Sequence, residues 1–377
     1  MKYELIAPCL FGMESTVSFE LKNLGIKVIK VSDGRVTFEG DEFTIAKANL
    51  SLRTAERVLV KVGEFKAYSF EDLYQGMLSL PFEKYIEKDS AFPVAKAKTI
   101  KSKLFSVPDI QSVAKKGVVE RLKLKHRVTE LPETKEVHPI NIFINKDIAE
   151  VTIDTTGPAL HKRGYREKSG GAPIRETLAA FMVMLTPWRP GRYLVDPMCG
   201  SGTILIEAAL IGANIMPGIN RNFTGENLSF IPKRVWQEER EEALRLENNL
   251  DFKIKGYDID EEVIEIAKEN AEIAGVGHLI DFEVRDIKDF EEKEEYGFII
   301  TNPPYGERLG SEDEINEIYN ILKENFKKLK NWSYYIITTM EDLESTLEIP
   351  FQKNRKLYNG MLKSYYYQYL GPKPPKK

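Results

Sequence analysis

The segment GFIITNPPYGERLG ends an apolar run on Asn302, Pro303, Pro304 and Tyr305. Two prolines with fixed φ stiffen the backbone at that point. The Asn302 carboxamide oxygen and the Pro303 carbonyl can then accept from one planar NH2 group, with Tyr305 stacked on the ring that carries it. Such a grip suits methyl transfer to an exocyclic nitrogen, whose lone pair is delocalised into the base and must be aligned with the incoming group. The same letters also make an ordinary Asn–Pro–Pro turn, so the reading depends on whether a cofactor site stands upstream.

One does. RYLVDPMCGSGTILIEAALIGA reads as an apolar strand ending on Asp196 and Pro197, a loop with Gly200 and Gly202, and a helix starting at Thr203. The glycines permit tight backbone passage, and free N–H groups at the helix start can meet a polar ligand end. The spacing is not GxGxxG, and an acid leads the loop. A carboxylate there repels a pyrophosphate but suits a cationic amino-acid moiety, which favours S-adenosylmethionine over NAD. In KIKGYDIDEEVIEIAKENAEIAGV, Asp258 ends a strand where its two oxygens can accept both ribose hydroxyls, while Asp260 caps the next helix. A third strand, LIDFEVRD, ends on Asp286, which can accept from an adenine amino group; Asp286 or the nearby Asp289 can equally cap a helix. Cys199 lies inside the cofactor loop and reads as small packing rather than a nucleophile.

DPMCGSGT, YDID and NPPYGER, together with LHKRGYR and APIRETLAA upstream, resemble the bacterial THUMP-domain class I RNA methyltransferases that modify guanine N2 in large-subunit (23S) ribosomal RNA. The resemblance extends over essentially the full chain, in a form with one methyltransferase domain and no second cofactor loop. It implies S-adenosylmethionine bound by the 196–202 loop and Asp258, and a target base handled by Asn302 to Tyr305. The NPPY tetrad is shared with N6-adenine and other amino methyltransferases; the HKRGYR and APIRETLAA context is what narrows the resemblance to guanine. Related proteins with the same front domain act on transfer RNA, which leaves guanine of transfer RNA as the nearer rival.

These residues need an α/β scaffold to position them. Residues 1–63 read as strand, helix, strand, strand, helix, strand, a ferredoxin-like order with a hairpin at Asp33-Gly34. Residues 64–155 are the expected THUMP-type RNA-binding domain, with a helix over DIQSVAKKGVVERLKL that turns Val113 and Val118–Val119 to a core. A linker, 156–172, leads to a Rossmann-like class I methyltransferase sheet over 173–371 with a reversed last strand, and 372–377 form a tail. Ser311 and Glu314 have capping-box spacing before the apolar stripe from Ile315 to Leu329, and Asn359-Gly360 is the turn of a final hairpin. The segment 214–248 reads as an active-site rim followed by a helix.

Composition limits the partners. The chain has 377 residues, 42% of them hydrophobic, enough for more than one core. No apolar run approaches the roughly 18–20 residues a membrane helix needs. Two cysteines and four scattered histidines provide no metal cluster by spacing and suit a reducing, cytoplasmic compartment. Net charge is −4, yet residues 92–127 hold ten basic and two acidic residues. Lys96, Lys98, Lys101 and Lys103 alternate nearly as an extended strand would present them, and Lys123, Lys125 and Arg127 follow. Such an array favours a polyanion without reading bases, and the lack of interleaved aromatics favours folded RNA over a single strand. Lys162, Arg163 and Arg166 are read as a phosphate grip in the linker. The expected partner is ribosomal RNA or a large-subunit assembly intermediate, with a non-catalytic RNA-binding protein as the reading from a different class.

Overall fold

The computed structural model describes residues 1–166, 174–248, 252, 254–304, 312–359 and 362–375. They fall into two compact units, the first comprising Met1–Cys9, Ser18–Leu160 and Asn222–Glu242, the second Leu10–Val17, His161–Arg221 and Ala243–Lys377.

In the first unit the elements run β1 (Tyr3–Pro8), α1 (Glu14–Asn23), β2 (Lys27–Ser32), β3 (Arg35–Gly40), α2 (Glu42–Ser51), β4 (Leu59–Lys66), α3 (Phe70–Ser79), β5 (Val94–Ile100), α4 (Val107–His126), β6 (Ile140–Asn145) and β7 (Ile148–Asp154). Asp33-Gly34 forms the β2–β3 turn, with Gly34 at φ 71°. The β6–β7 turn holds Lys146 and Asp147 at φ 52° and 62°, the left-handed pair a two-residue hairpin requires. One feature departs from the sequence reading. Strand β4 pairs antiparallel with β7 from Leu59↔Asp154 to Lys66↔Ile148, so the two α/β portions share one seven-stranded sheet, order β2-β3-β1-β4-β7-β6-β5. The border placed at residue 63 falls inside β4.

Helix α4 is also rotated from expectation. Its buried stripe is Ile110, Ala114, Gly117, Val118 and Leu122, while Val113 and Val119 are half-buried. Gly117 sets the phase: a Cβ there would lie 2.7 Å from Met77 Cβ on α3, so α4 presents its small residues to α3.

Residues Asn222–Glu242 of the insertion belong to this unit. Phe223 stacks on Trp236 at 5.2 Å, the Gly225 N–H donates to the Thr155 carbonyl at 2.7 Å, and Phe230 meets Tyr85 edge-on at 5.3 Å. Beside Phe230 lies His138, fully buried, with neither ring nitrogen hydrogen-bonded among the described residues. Burial pushes its pKa down to about 4, against the pull of Glu136. The unfolded chain therefore binds a proton at this histidine below about 6.5 that the folded chain refuses until about 4. Stability present above pH 6.5 should fall by about 3 kcal/mol as pH drops to 4. Chemical denaturation of His138→Leu across that window should lack this component.

The second unit carries α5 (Glu176–Met184), β8 (Leu194–Asp196), α6 (Thr203–Gly212), β9 (Ile254–Asp258), α8 (Glu261–Ile273), β10 (Ile280–Val284), β11 (Phe298–Thr301), α9 (Glu312–Lys328), β12 (Ser333–Thr338), α10 (Leu343–Leu347), β13 (Lys353–Asn359) and β14 (Leu362–Tyr369); α7 (Lys233–Arg245) precedes β9 at the boundary of the units. The sheet order is β10-β9-β8-β11-β12-β14-β13. Strands β10, β9, β8, β11 and β12 are parallel, and β14 is antiparallel to β12. This is the expected class I sheet with a reversed last strand. Helices α5 and α6 are buried on nearly every side, and the Tyr366 hydroxyl on β14 donates to the Met182 carbonyl at 2.7 Å. The opposite face packs Ile299, Ile336, Leu322, Phe326, Trp332 and Tyr367 into one core. Strand order reverses between β8 and β11, where open α/β sheets leave a crevice at their carboxyl ends. The expected cap at Ser311 and Glu314 and the turn at Gly360 fall on Ser311, Gly360 and the Glu314 side chain, which lie outside what is described.

Candidate active site

Strand β8 carries Asp196 to the carboxyl end of the sheet, 1% exposed, where its Oδ1 accepts the Met198 N–H at 3.2 Å. The loop then turns through Gly200 (φ 52°) and Gly202 (φ 78°). A Cβ on Gly202 would lie 2.9 Å from the Phe282 ring and 3.2 Å from Ala267, so only glycine brings the start of α6 this close to β10. Two hydrogen bonds fasten the loop to β9. The Cys199 N–H donates to the Tyr257 carbonyl at 2.8 Å, and the Gly200 N–H donates to Asp258 Oδ2 at 2.9 Å. The other Asp258 oxygen accepts the Asp260 N–H at 3.2 Å, and Asp260 caps α8 through the Glu262 and Val263 N–H groups. Asp286 accepts from the Lys288 N–H at 2.9 Å, capping a short turn.

Asp196, Pro197, Gly200, Thr203, Asp258, Asp286, Asn302 and Pro304 line one cavity of about 620 Å³, a volume in the range of small-molecule sites. Gly202 and Pro303 are neighbours of lining residues in the chain but do not themselves line it, and Tyr305 lies outside the described residues. None of the lining comes from 214–248, so that segment is not a rim of this cavity; its aromatics are spent inside the first unit. The apolar walls were not singled out from sequence. Ile318 and Ile321, three apart on α9, and Ile259, an exposed isoleucine between Asp258 and Asp260, are the residues a sequence reading takes for core or turn.

Burial dominates the electrostatics. It pushes the Asp196 carboxyl up to about 7, with the Thr301 hydroxyl and the Met198 N–H pulling down and the Asp258 charge pushing up. Asp258 is raised by burial despite its amide donors. Burial and the charges of Asp196 and Asp258 push the Cys199 thiol well above its usual value, which disfavours the thiolate that a nucleophile needs. At the end of β11, Asn302 Oδ1 is buried and accepts no hydrogen bond among the described residues. An acceptor left unsatisfied on a cavity wall is paid for in stability and awaits a donor.

The basic residues separate. Lys96 and Lys98 are exposed on β5, an outer strand of the first sheet, and Lys101 and Lys103 follow in the loop before α4. Lys123, Lys125 and Arg127 stand at the far end of the 20-residue α4, about 24–30 Å along its axis from Val107. Aromatics do accompany the first group: Lys103 Nζ lies 5.1 Å from the Tyr68 ring centroid, and Phe105 is 80% exposed. The assumed absence of interleaved aromatics is therefore corrected, because Tyr68 comes from a different loop.

The linker grip is corrected as well. Lys162 is exposed, but Arg163 is buried against Glu207 of α6, at 3.3 Å from each carboxylate oxygen, and the Tyr165 hydroxyl donates to the same carboxylate at 3.1 Å. Arg166 pairs with Glu176 at 2.8 Å and donates to the Ile174 carbonyl. These guanidiniums are internal braces, and RNA does not reach Arg163. Arg163→Ala should cost about 3–5 kcal/mol, since it strands a buried carboxylate, and should leave the salt dependence of RNA binding of the surviving folded protein unchanged. Urea melts and salt titrations read the two effects separately.

Three family models cover the chain in succession: an RlmL ferredoxin-like domain over residues 4–59, a THUMP domain over 67–154, and an RMKL-like methyltransferase domain over 163–368. The chain belongs to the THUMP-domain RlmL-like class I methyltransferases. Among relatives, it is 45% identical over 379 residues to the putative RNA methyltransferase YpsC of Bacillus subtilis (strain 168), covering 100% of this chain and 98% of that protein. It matches the structure of a predicted N6-adenine-specific DNA methylase from Listeria monocytogenes with 45% identity and a TM-score of 0.94, over 99% and 97% of the two chains. SMU.472, a putative methyltransferase complexed with S-adenosylhomocysteine (SAH), matches with 42% identity and a TM-score of 0.94 over 99% of each. As a member of this family the chain is a methyltransferase. Among its described residues no helix is long and apolar enough to cross a membrane, and no group of side chains is arranged to hold a metal ion.

Proposed function

We propose that this methyltransferase transfers a methyl group from S-adenosylmethionine to the exocyclic N2 amine of a guanine in large-subunit ribosomal RNA. The observation that carries the chemistry is Asn302, on the wall of a cavity that also holds Asp196 and Asp258, whose buried Oδ1 accepts no hydrogen bond among the described residues. The donor set fits the cofactor: Asp258 at a strand end suits a pair of ribose hydroxyls, Asp196 a cationic amino-acid end, and the isoleucine walls a flat ring. When bound, S-adenosylmethionine supplies an electrophilic methyl group on a sulfonium. The protein's part is placement. Asn302 Oδ1 accepts an N–H of the target amine and so fixes the direction of its lone pair, while Pro303 and Pro304 keep that oxygen from following the base as it moves. After transfer the nitrogen carries a positive charge and sheds its extra proton, which Asn302 Oδ1 or the Pro303 carbonyl holds by hydrogen bond until water takes it. Because N2 sits in the minor groove of a pair, the base has to be unpaired or flipped before it reaches Asn302.

RNA as the substrate class rests on the THUMP domain, on the name borne by the B. subtilis relative, and on the basic surface of Lys96, Lys98, Lys101 and Lys103. Guanine rests on the HKRGYR and APIRETLAA resemblance alone. Since Arg163 and Arg166 in those motifs are braces, they mark the family and do not themselves read a base. Adenine N6 is the second reading, favoured by the name of the L. monocytogenes structure and compatible with the same amide acceptor. To test the assignment, RNA from a strain lacking the gene is incubated with labelled cofactor, digested to nucleosides and mapped. N2-methylguanosine in 23S RNA is the expected product. N6-methyladenosine would overturn guanine, and label confined to transfer RNA would overturn the ribosomal substrate.

A further inference from the structure

The last hairpin of the methyltransferase sheet belongs to no element of the site described above, yet its register brings it to the same end of the sheet. Thr301 on β11 is opposite Ile336 on β12, and Ile336 is opposite Tyr367 on β14. The next residue, Asn302, therefore comes level with Tyr366. Because β14 runs antiparallel, its earlier residues run outward from the level of Asn302, Tyr365 by one residue, opposite Thr338 at the end of β12, and Lys363 by three. Strand β13, which carries Lys356 and Tyr358, stands three strand spacings from β11, and with the offset of their rungs along the strand the two residues lie about 15–18 Å from the level of Asn302.

The residues at this end alternate in kind. Lys356 pairs with Tyr365 and Tyr358 with Lys363, two successive rungs on one face of the hairpin. Lys356 Nζ lies 5.9 Å from the Tyr358 ring centroid, and Lys363 Nζ lies 4.9 Å from that of Tyr365. Glu341 pairs with Lys363 and accepts from the Tyr365 hydroxyl, which fixes that rung. Lys356 is exposed and makes no ion pair among the described residues. From residue 353 onward the chain has seven Lys and Arg and no acid. Lysines on an outer strand also discourage edge-to-edge pairing of sheets, but that purpose does not call for tyrosines interleaved with them.

We infer that this ladder holds the RNA strand beside the target nucleotide, with Lys356 on a backbone phosphate and Tyr358 stacked on a flanking base. The inference rests on the proposed reading of the site as one that acts on an RNA base. A displacement of about 15–18 Å from Asn302 corresponds to roughly four to five base steps of 3.4 Å, so the nucleotides concerned lie within a few steps of the one modified. A strand opened to free its target presents such neighbours unstacked, and a tyrosine accepts any of them.

The test uses the full-length protein, ribosomal RNA from a strain lacking the gene, and direct RNA binding across a salt series, so that it does not depend on which base is methylated. Lys356→Gln should lower the slope of log affinity against log salt by about 0.7–0.9, the contribution of one phosphate contact. Tyr358→Leu should weaken binding at least about 5-fold with an unchanged slope, as loss of a stacked base does. Lys356→Arg should restore the slope, and calorimetric affinity for S-adenosylmethionine should stay at the wild-type value in all three. If slope and affinity are unmoved in both Lys356→Gln and Tyr358→Leu, the ladder is only a protected sheet edge and the inference is wrong. Failure of the base assignment is read elsewhere, in the nucleoside map.

Discussion

Asn302→Ala is expected to lower turnover by about 10²- to 10³-fold, the scale seen when one preorganised hydrogen-bonding group at a reacting centre is removed, while cofactor affinity measured by calorimetry stays at the wild-type level. The asymmetry follows from where Asn302 stands. It lies at the end of β11, across the reversal of strand order from the Asp196 loop, and its Oδ1 takes part in no hydrogen bond that holds the described structure together. Deleting its Oδ1 therefore removes no hydrogen bond made by that oxygen among the described residues, and the folded protein should melt close to the wild type. What is lost is an acceptor that orders the target amine as its nitrogen becomes cationic. That contribution appears in kcat and in kcat/KM for RNA alike. A variant that lost cofactor affinity in step with turnover would assign Asn302 to the cofactor and remove the amine grip from the mechanism.

The parts of this site legible in the sequence are those whose signals are local. Gly200 and Gly202 are required within a few residues of where they stand, Asp260 caps the helix that follows it, and the NPPY turn carries its stiffness in its own two prolines. What the sequence conceals depends on partners far along the chain. Arg163 and Arg166 look like solvent-facing cations until Glu207 and Glu176 are set beside them. A signal was present in those acids: each sits in a helix otherwise almost wholly apolar, TILIEAALIG and ETLAAFMVM, where a carboxylate needs an internal cation. The single sheet of the first unit was hidden for a similar reason. Nothing in LVKVGEFK announces that β4 pairs with β7, nearly ninety residues later, as well as with β1. The α4 helix shows a subtler limit, since its buried phase follows Ala114 and Gly117, chosen for close approach, in preference to the larger Val113 and Val119.

Asp196 ties the chemistry of the site to pH in two measurements of opposite sign. Its carboxyl is pushed up to about 7 by burial, against an ordinary value near 3.9 in the unfolded chain. In the free enzyme, folding is thus opposed by the cost of burying this charge: stability is fully present below about pH 4 and is lost as pH rises toward 7, by about 4 kcal/mol. Asp196→Asn removes the titration, so the variant should be the more stable protein at pH 8, with the advantage shrinking to nothing near pH 4. Cofactor binding should run the other way. A cationic ligand end stabilises the ionised carboxylate, so below pH 7 binding must first expel a proton, and affinity for S-adenosylmethionine should fall about tenfold for each pH unit. Asp196→Asn should bind more weakly than the wild type at pH 8 and show a flat profile from pH 8 to pH 5. Calorimetry in buffers of different ionisation enthalpy would add a direct count, with close to one proton released on binding at pH 6 by the wild type and none by the variant. A wild-type affinity independent of pH across this range would mean that Asp196 stays protonated in the complex and acts there as a hydrogen-bond donor, which would transfer the charge-pairing role to Asp258.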